Sequence, residues 1–423
     1  MTLLAPDAAL PTRDLVLDPV LMAARLGEVV SAGGPIAIEA YEQGRIKYRV
    51  GASLRVLHRF RVDGTAMIVA SRTFTDGAGA GVFASADRGE TVGPLRAVAH
   101  DPESETVFWT FPHDRKLTSL PALLGQGGHL DTLVGIPVAA TVVQYAPEKS
   151  ATAACALTIG GPPVAYAKAY ADPDEGELAQ LIYGQLPRAL RPTHRKLGLP
   201  GLVGYDGRRG LLVIEAIEGT RLDALEGTAL ADAVGQLGAA VGTLHGLPLP
   251  EGIPRFTRLD PERVTTAADL IGRVRPDVDE LAHELADELI QAYSPPSAPD
   301  ACLHGDVHPK NGILRDGRVV LIDLDQLSVG PSAAELGSFR AALRYRGLTG
   351  QVRRGHVTQL EAAFLNGFGA VRSLPSGDEI RWYTAAALLN ERALRAVNRI
   401  RPDGLAVLDA LLDEARRELR GGA

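Results

Sequence analysis

The hydrophobic pattern of the chain changes period near residue 225. Before that point, short apolar runs alternate with polar positions and are separated by turn residues, the mark of half-buried strands. RIKYRV (45–50), LRVLHRF (54–60) and TAMIVASRTF (65–74) predict strands, the last two joined by an Asp63–Gly64 turn. ETVFWTF (105–111) predicts another. Two helices interrupt the series: DPVLMAARLGEVV (18–30), with Asp then Pro at its front, and the short GVFASAD (81–87). After residue 225 the apolar residues return at helical spacing. ALADAVGQLGAAVGTLHGL, AADLIGRV, DVDELAHELADELIQAY, SAAELGSFRAALRYRGL, TQLEAAFLNGF, DEIRWYTAAALLNERALRAVNRI and DGLAVLDALLDEARREL all predict helices. Strands followed by helices make an α+β protein.

The strand-rich half contains the same series twice. Residues 143–170, VQYAPEKSATAACALTIGGPPVAYAKAY, lie over residues 46–74 with one gap. Tyr48 then falls on Tyr145, Asp63–Gly64 on Gly160–Gly161, and Arg72 on Lys168. Residues 97–120 lie over residues 202–225 without a gap. A period of about one hundred residues exceeds that of solenoid repeats, so each unit is expected to be a small β-rich lobe. The expected domains are a helix and β-rich cap over 1–130, a second lobe over 131–218, and a helical lobe over 219–423.

Composition narrows the class. Of 423 residues 46% are apolar and 22% charged, ordinary for a soluble globular chain. The net charge of −7 argues against a general nucleic-acid or anionic-membrane surface. Cys155 and Cys302 are too few for a disulfide framework and are read as reduced thiols. The N-terminal stretch lacks a basic start, and no apolar run reaches membrane-spanning length, so a cytoplasmic enzyme is expected. The acidic stretch Asp277–Glu288 reads as a solvated helix face.

The chemistry concentrates in CLHGDVHPKNGILRDGRVVLIDLDQ (302–326). A short strand leads into a loop carrying His304, Asp306 and, five residues on, Asn311. A hairpin about Asp316–Gly317 then brings its far end, Asp323, back beside that loop. Phosphoryl transfer uses such a set: one carboxylate takes the proton of the attacking hydroxyl, while a carboxylate and an amide oxygen hold Mg2+. The order Asp-x-x-x-x-Asn, then a strand-borne Asp, is that of protein kinases. Upstream, Lys168 stands mid-strand in PPVAYAKAY. Alone it reads as a solvent-facing lysine; with the loop and hairpin downstream it reads as the cation for the nucleotide phosphates. Its carboxylate partner is expected on the next helix, Glu177 or else Glu175. The backbone at Glu215–Ile217, where LLVIEAIEG leaves its strand, is the expected adenine slot.

HGDVHPKN, LIDLD, VGTLH and EAIEG resemble the motifs of the aminoglycoside phosphotransferase and choline kinase-like superfamily of small-molecule kinases, from about residue 143 onward. The resemblance implies a bilobal protein-kinase-like fold, ATP or GTP as donor, and Mg2+. It implies Asp306 as catalytic base, Asn311 and Asp323 as metal ligands, Lys168 on the phosphates, and Glu215 to Ile217 as hinge. It makes His304 and His245 structural, has Glu335 brace the loop where the family commonly has Asp, and leaves His308 and Asp325 as supporting residues. Two departures stand out. YAPEKSATA replaces a glycine-rich loop, so that Lys149 and Ser150 are candidates to cover the phosphates. The first repeat carries Arg72 in place of Lys168 and has no HGD loop of its own, which makes it a degenerate cap. That layout is similar to the maltokinase-like branch.

Two rivals share these residues. His304, Asp306 and His308 form an H-x-D-x-H pattern that, with Asp323, would suit a zinc-dependent hydrolase. That reading explains neither Asn311 nor Lys168. A nucleotide-binding pseudokinase is the other rival. The expected acceptor is a small polar hydroxyl compound: a sugar, an amino sugar or an aminoglycoside. Its contacts are expected within 251–299 and 378–400, with Asp260, Asp269, Glu391 and Arg395 as polar candidates and Trp382 as an aromatic one. Oligomeric state is left open.

Overall fold

The computed structural model describes residues 4–86 and 89–421; Asp87, the last residue of the short helix expected at 81–87, lies outside the described residues. The first five strands, β1 (Glu39–Arg49), β2 (Ser53–Val62), β3 (Thr65–Thr73), β4 (Val98–Asp101) and β5 (Thr106–Thr110), form one antiparallel sheet in the order β1-β2-β3-β5-β4. Next come β6 (Ala139–Ala146), β7 (Ser150–Ala156), β8 (Pro163–Tyr170), the short β9 (Leu197–Gly198), β10 (Leu202–Asp206) and β11 (Leu211–Glu215). All but β9 form a second antiparallel sheet, ordered β6-β7-β8-β11-β10.

The two orders are the same, and in both sheets a helix follows the third strand: Ala78–Ser85 in the first, Pro173–Ala189 in the second. The registers coincide as well. Arg72 on β3 lies across from Arg55 and Val107, and Lys168 on β8 lies across from Thr152 and Leu212. These are the positions that the sequence alignment superposes.

Alternation fixes which face of the second sheet is buried. Ala151, Ala153 and Cys155 on β7, with Ala165, Ala167 and Ala169 on β8, form a stripe of small buried side chains. Against it pack Leu57 and Ala70 of the first sheet and Leu120, Leu123 and Leu130 of the short connecting helices. Small residues let these layers approach closely. The opposite face of the second sheet carries Lys168.

The remaining strands belong to the helical lobe. β12 (Thr220–Arg221), β14 (Gly312–Arg315) and β15 (Arg318–Leu321) form a sheet with β9, while β13 (Ala301–Leu303) pairs with β16 (Ser328–Gly330). Asp316 (φ 51°) and Gly317 (φ 72°) make the left-handed turn that a two-residue hairpin requires. One helical run differs from expectation. Residues 378–400 are not one regular helix: Gly377–Ala387 and Leu394–Arg399 are separated by a π-helical turn, Leu388–Ala393. Such turns widen the helix by one residue and concentrate at functional sites.

The first sheet and the segment before it also touch the helical lobe. The Arg399 guanidinium donates to the Ile46 carbonyl of β1 at 3.0 Å, and the Ala5 amide donates to the Val274 carbonyl at 2.8 Å. Among the described residues no helix is long and apolar enough to cross a membrane.

Candidate active site

Three chain segments build the centre: the loop after β13, the turn after β15, and the middle of β8. Gly305 (φ 80°) starts the loop, and any Cβ there would collide with the Gln326 carbonyl. Only glycine lets the loop lie against the turn. Glu335, fully buried, holds the same stretch. Its carboxylate accepts the amides of His304 (3.0 Å) and Gly305 (2.6 Å) and contacts His245 Nε2 at 2.8 Å. Burial pushes the Glu335 carboxyl up; these bonds, chiefly that of His245, outweigh it and keep the group below its ordinary range.

The loop then presents Asp306. The Asn311 amide donates to the Asp306 carbonyl at 2.9 Å and to its carboxylate at 3.3 Å, and Lys310 Nζ lies 3.7 Å from that carboxylate. Burial raises the Asp306 pKa, but Lys310, His304 and Arg395 more than compensate, so it is lowered and the group is ionised at neutral pH. The Ile322 amide donates to the Asn311 carbonyl at 2.9 Å, so the hairpin does return to the loop. Asp323 follows in the left-handed region (φ 61°), a strained conformation for a side chain with a Cβ and one that clusters at functional sites.

Lys168 reaches the turn from the other lobe. It is ion-paired with Asp325 and lies 3.5 Å from Asp323. Burial lowers its pKa, yet the charges of Asp325 and Asp323 prevail and raise it. The Tyr170 hydroxyl donates to Asp325 at 3.0 Å, and the Leu324 amide donates to the Tyr183 hydroxyl at 3.0 Å. One cleft of about 860 Å³ is lined by Lys149, Ser150, Lys168, Asp306, Asp323 and Asp325 together. Asp323, Asn311 and Asp306 offer hard oxygen donors, the set Mg2+ prefers, and the Asn311 bonds described leave its Oδ1 as acceptor.

Several expected positions fall elsewhere. Glu177 and Glu175 are exposed on the helix Pro173–Ala189; Glu177 neighbours Tyr205, not Lys168. That helix instead contributes Tyr183, and the lysine takes its carboxylate from Asp325. The Glu215 amide donates to the Gly201 carbonyl (2.9 Å) and its side chain lies 3.6 Å from Arg315, so of the expected adenine-slot groups the Glu215 N–H is already bonded within the sheet. Ile217, half-buried, lies in the link between β11 and β12. Asp260 and Asp269 are exposed, Asp269 paired with His283 at 3.0 Å. Glu391 and Arg395 line a cavity that includes Asp306.

The zinc arrangement does not form. His304 Nε2 bonds the Ile322 carbonyl (3.0 Å) and its Nδ1 accepts the Asp306 amide (3.3 Å), leaving no nitrogen for a metal. His308 accepts the Lys310 amide, and burial with nearby Lys310 and Arg346 pushes its pKa down to about 4. Among the described residues no group of three or more His, Cys, Asp or Glu is placed to hold a metal.

The turn between β6 and β7 is held from outside its own lobe. Glu148 (φ 58°) lies 2.8 Å from Arg55, 2.9 Å from Arg72 and 2.8 Å from Arg115. Its side chain is only 5% exposed. Burial raises its pKa; Arg115, Arg55 and Arg72 together bring it below the ordinary carboxylate range. Sequence reasoning passed over Glu148, and the signal was available: in the repeat alignment it falls on Gly51, which also has positive φ (70°). It likewise passed over Arg258, Arg392, Arg399, Lys47 and Arg49, all of which line the cavity beside Asp306.

No curated protein matches the chain. Among solved structures it is similar to the aminoglycoside phosphotransferase APH(3'')-Id from Streptomyces rimosus, at 22% identity and TM-score 0.41, over 63% of this chain and 96% of that one. It is also similar to a choline kinase from Cryptosporidium parvum, at 10% identity and TM-score 0.48, over 67% and 89%. A third is the macrolide 2'-phosphotransferase MphH from Brachybacterium faecium, at 16% identity and TM-score 0.43, over 72% and 99%. The family model described as "Phosphotransferase enzyme family" matches residues 162–374, half of the chain. With that match spanning the lysine strand, the HGD loop and the hairpin aspartates, the chain belongs to the phosphotransferase enzyme family.

Proposed function

We propose that the protein transfers the γ-phosphoryl group of ATP or GTP to a hydroxyl of a small polar molecule. The observation that carries this reading is the single cleft in which Asp306 and Asp323 of the helical lobe meet Lys168 of the second sheet. Asp323 and Asn311 would hold Mg2+ on the nucleotide phosphates. When bound, the ion neutralises phosphate charge. Lys168, kept protonated by Asp325 and Asp323, binds the α- and β-phosphates from the sheet side. The turn at Lys149 and Ser150 covers them.

Asp306 orients the acceptor hydroxyl and takes its proton as the oxygen bonds to the γ-phosphorus. The bond from that phosphorus to the β-bridging oxygen breaks, and its electron pair leaves on the nucleoside diphosphate. The proton then passes from Asp306 to water. A carboxylate already ionised at neutral pH is a weak base, so its contribution is chiefly positioning, with electrostatics supplied around it.

The first sheet is read as a degenerate copy of the nucleotide lobe. The shared strand order, the matched register of Arg72 and Lys168, and the matched turns at Gly51 and Glu148 support that reading. In the first copy the arginine does not face a nucleotide site; it clamps the phosphate turn of the second.

The test is transfer of labelled γ-phosphate to an acceptor panel by the full chain. Asp306→Asn should abolish transfer while nucleotide still binds. Full transfer by that variant would show the base to be misassigned.

A further inference from the structure

A cavity of about 330 Å³ opens beside Asp306; it is lined by neither Lys168 nor Asp323, and it shares Arg258, Asp306, Arg395 and Arg399 with the larger cleft that holds them. Its charged lining is lopsided. Lys47 and Arg49 come from β1 of the first sheet, and Arg258, Arg392, Arg395 and Arg399 come from the helical lobe. Against these six cations stand only Glu391 and Asp306. Glu391 is already paired with Arg258 at 3.2 Å, and Asp306 has Lys310 nearby. The chain as a whole is acidic, so this local excess runs against its average.

The cations repel one another. Burial, followed by the charges of Arg49, Arg55, Arg399 and Lys149, pushes the Lys47 pKa down to about 8. Burial, Arg45, Arg395 and Arg401 push Arg399 to about 10. Polar atoms are also left over. Arg392 Nε, Asn390 Oδ1 and Ser338 Oγ are buried at this cavity without a hydrogen-bond partner. Native proteins rarely leave such groups unpaired: an anion would accept from Arg392 Nε and Ser338 Oγ and offset the cation repulsion, while a ligand hydroxyl would donate to Asn390 Oδ1. The π-helical turn Leu388–Ala393 supplies Asn390, Glu391 and Arg392 to the wall.

We propose that the acceptor is an anionic polyol of about monosaccharide size, with its hydroxyl at Asp306 and its phosphate or carboxylate among Arg392, Arg395, Arg399 and Lys47. This rests on the phosphoryl-transfer reading above. The cavity lies near the lower end of the range for small-molecule sites, about 300–1,000 Å³, which suits one sugar ring better than a multi-ring antibiotic. A polycationic aminoglycoside would meet charges of its own sign. The first sheet thereby gains a part in acceptor selection, since Lys47 and Arg49 occupy alternate positions on its edge strand β1.

Nucleotide-coupled turnover by the full chain, with matched acceptors, tests this. Glucose, glucosamine, glucose 6-phosphate and glucuronate share a ring and differ in charge. An anionic member should exceed glucose in kcat/KM by about tenfold or more, and the phosphate and carboxylate arms tell the two sources apart. Arg395→Gln and Lys47→Gln should each raise the acceptor KM by about tenfold, Lys47→Gln with nucleotide KM unchanged, and Arg395→Lys should recover part of the Arg395 loss. If none of the four is turned over, calorimetric titration with inorganic phosphate decides, using protein saturated with a non-hydrolysable ATP analogue. The wild type should bind phosphate and the double variant Arg395→Gln/Lys47→Gln should not. Preference for glucose or glucosamine, or no phosphate binding by the wild type, would overturn the anionic acceptor and leave phosphoryl transfer standing. Nucleotide hydrolysis unaffected by Asp306→Asn would instead count against the transfer reading itself.

Discussion

The two five-stranded sheets share one topology and hold opposite chemistry. In the second, the third strand carries Lys168, whose partners Asp325 and Asp323 come from the helical lobe. In the first, the equivalent position is Arg72, whose partner Glu148 comes from the other sheet. A lysine is a compact charge that a phosphate can share with its carboxylates. An arginine fork holds a carboxylate in fixed geometry. The turns differ in the same sense. Gly51 adopts positive φ at no steric cost, whereas Glu148 adopts it with a Cβ and is kept there by three guanidinium groups. The second sheet carries the candidate phosphate-binding lysine, and the first holds the turn beside it.

The sharpest way to break this comparison begins at the reacting group. Asp306→Asn should lower turnover by about 10²–10⁴-fold with nucleotide affinity retained, measured by transfer kinetics and nucleotide titration. Next comes the matched pair. Lys168→Met should cost about 10²–10³-fold in kcat/KM, while Arg72→Met costs no more than about tenfold, read mainly in nucleotide KM. Equal losses would mean the two positions do equivalent work. Glu148→Gln should raise nucleotide KM by about tenfold and lower stability by about 2–3 kcal/mol, because three arginines lose their shared anion. A calorimetric melt together with saturation kinetics checks both.

The smallest effects sit at the glycine and in acid. Gly51→Ala should cost about 1 kcal/mol, since its φ of 70° disfavours a side chain and a Cβ there would meet Arg273 at 2.9 Å. Nucleotide KM should not move. For pH the sign follows from Glu148, whose folded-state pKa is lowered. Its stabilisation is present above the ordinary carboxylate range and is lost as pH falls through the lowered folded value. Glu148→Gln should therefore flatten part of the acid limb of a stability-against-pH curve.

The legible parts of the sequence were those with short-range causes. The loop and hairpin could be read because an Asp–Gly turn returns a strand on itself within about a dozen residues. The like topology of the two sheets could be read because strands and turn residues follow in the same sequence order. The lysine's partner could not. Glu177 has the right spacing on the next helix, but the helix presents Tyr183 to the turn, and Asp325 takes the role. Helix phase against another lobe is not a local property. The bonding of the link after β11 is not local either: the Glu215 amide finds Gly201 across the sheet.

The sequence by itself determined the periods, the like order of strands in the two sheets, and the order of lysine, loop and hairpin aspartate. These follow from local sterics and hydrophobic spacing. Only the tertiary structure decided which charges meet. Arg72 finds Glu148 about seventy-six positions away, and β1 brings Lys47 and Arg49 to a cavity otherwise walled by the helical lobe. Coulombic interaction depends on distance and dielectric in three dimensions, and neither is written in residue spacing.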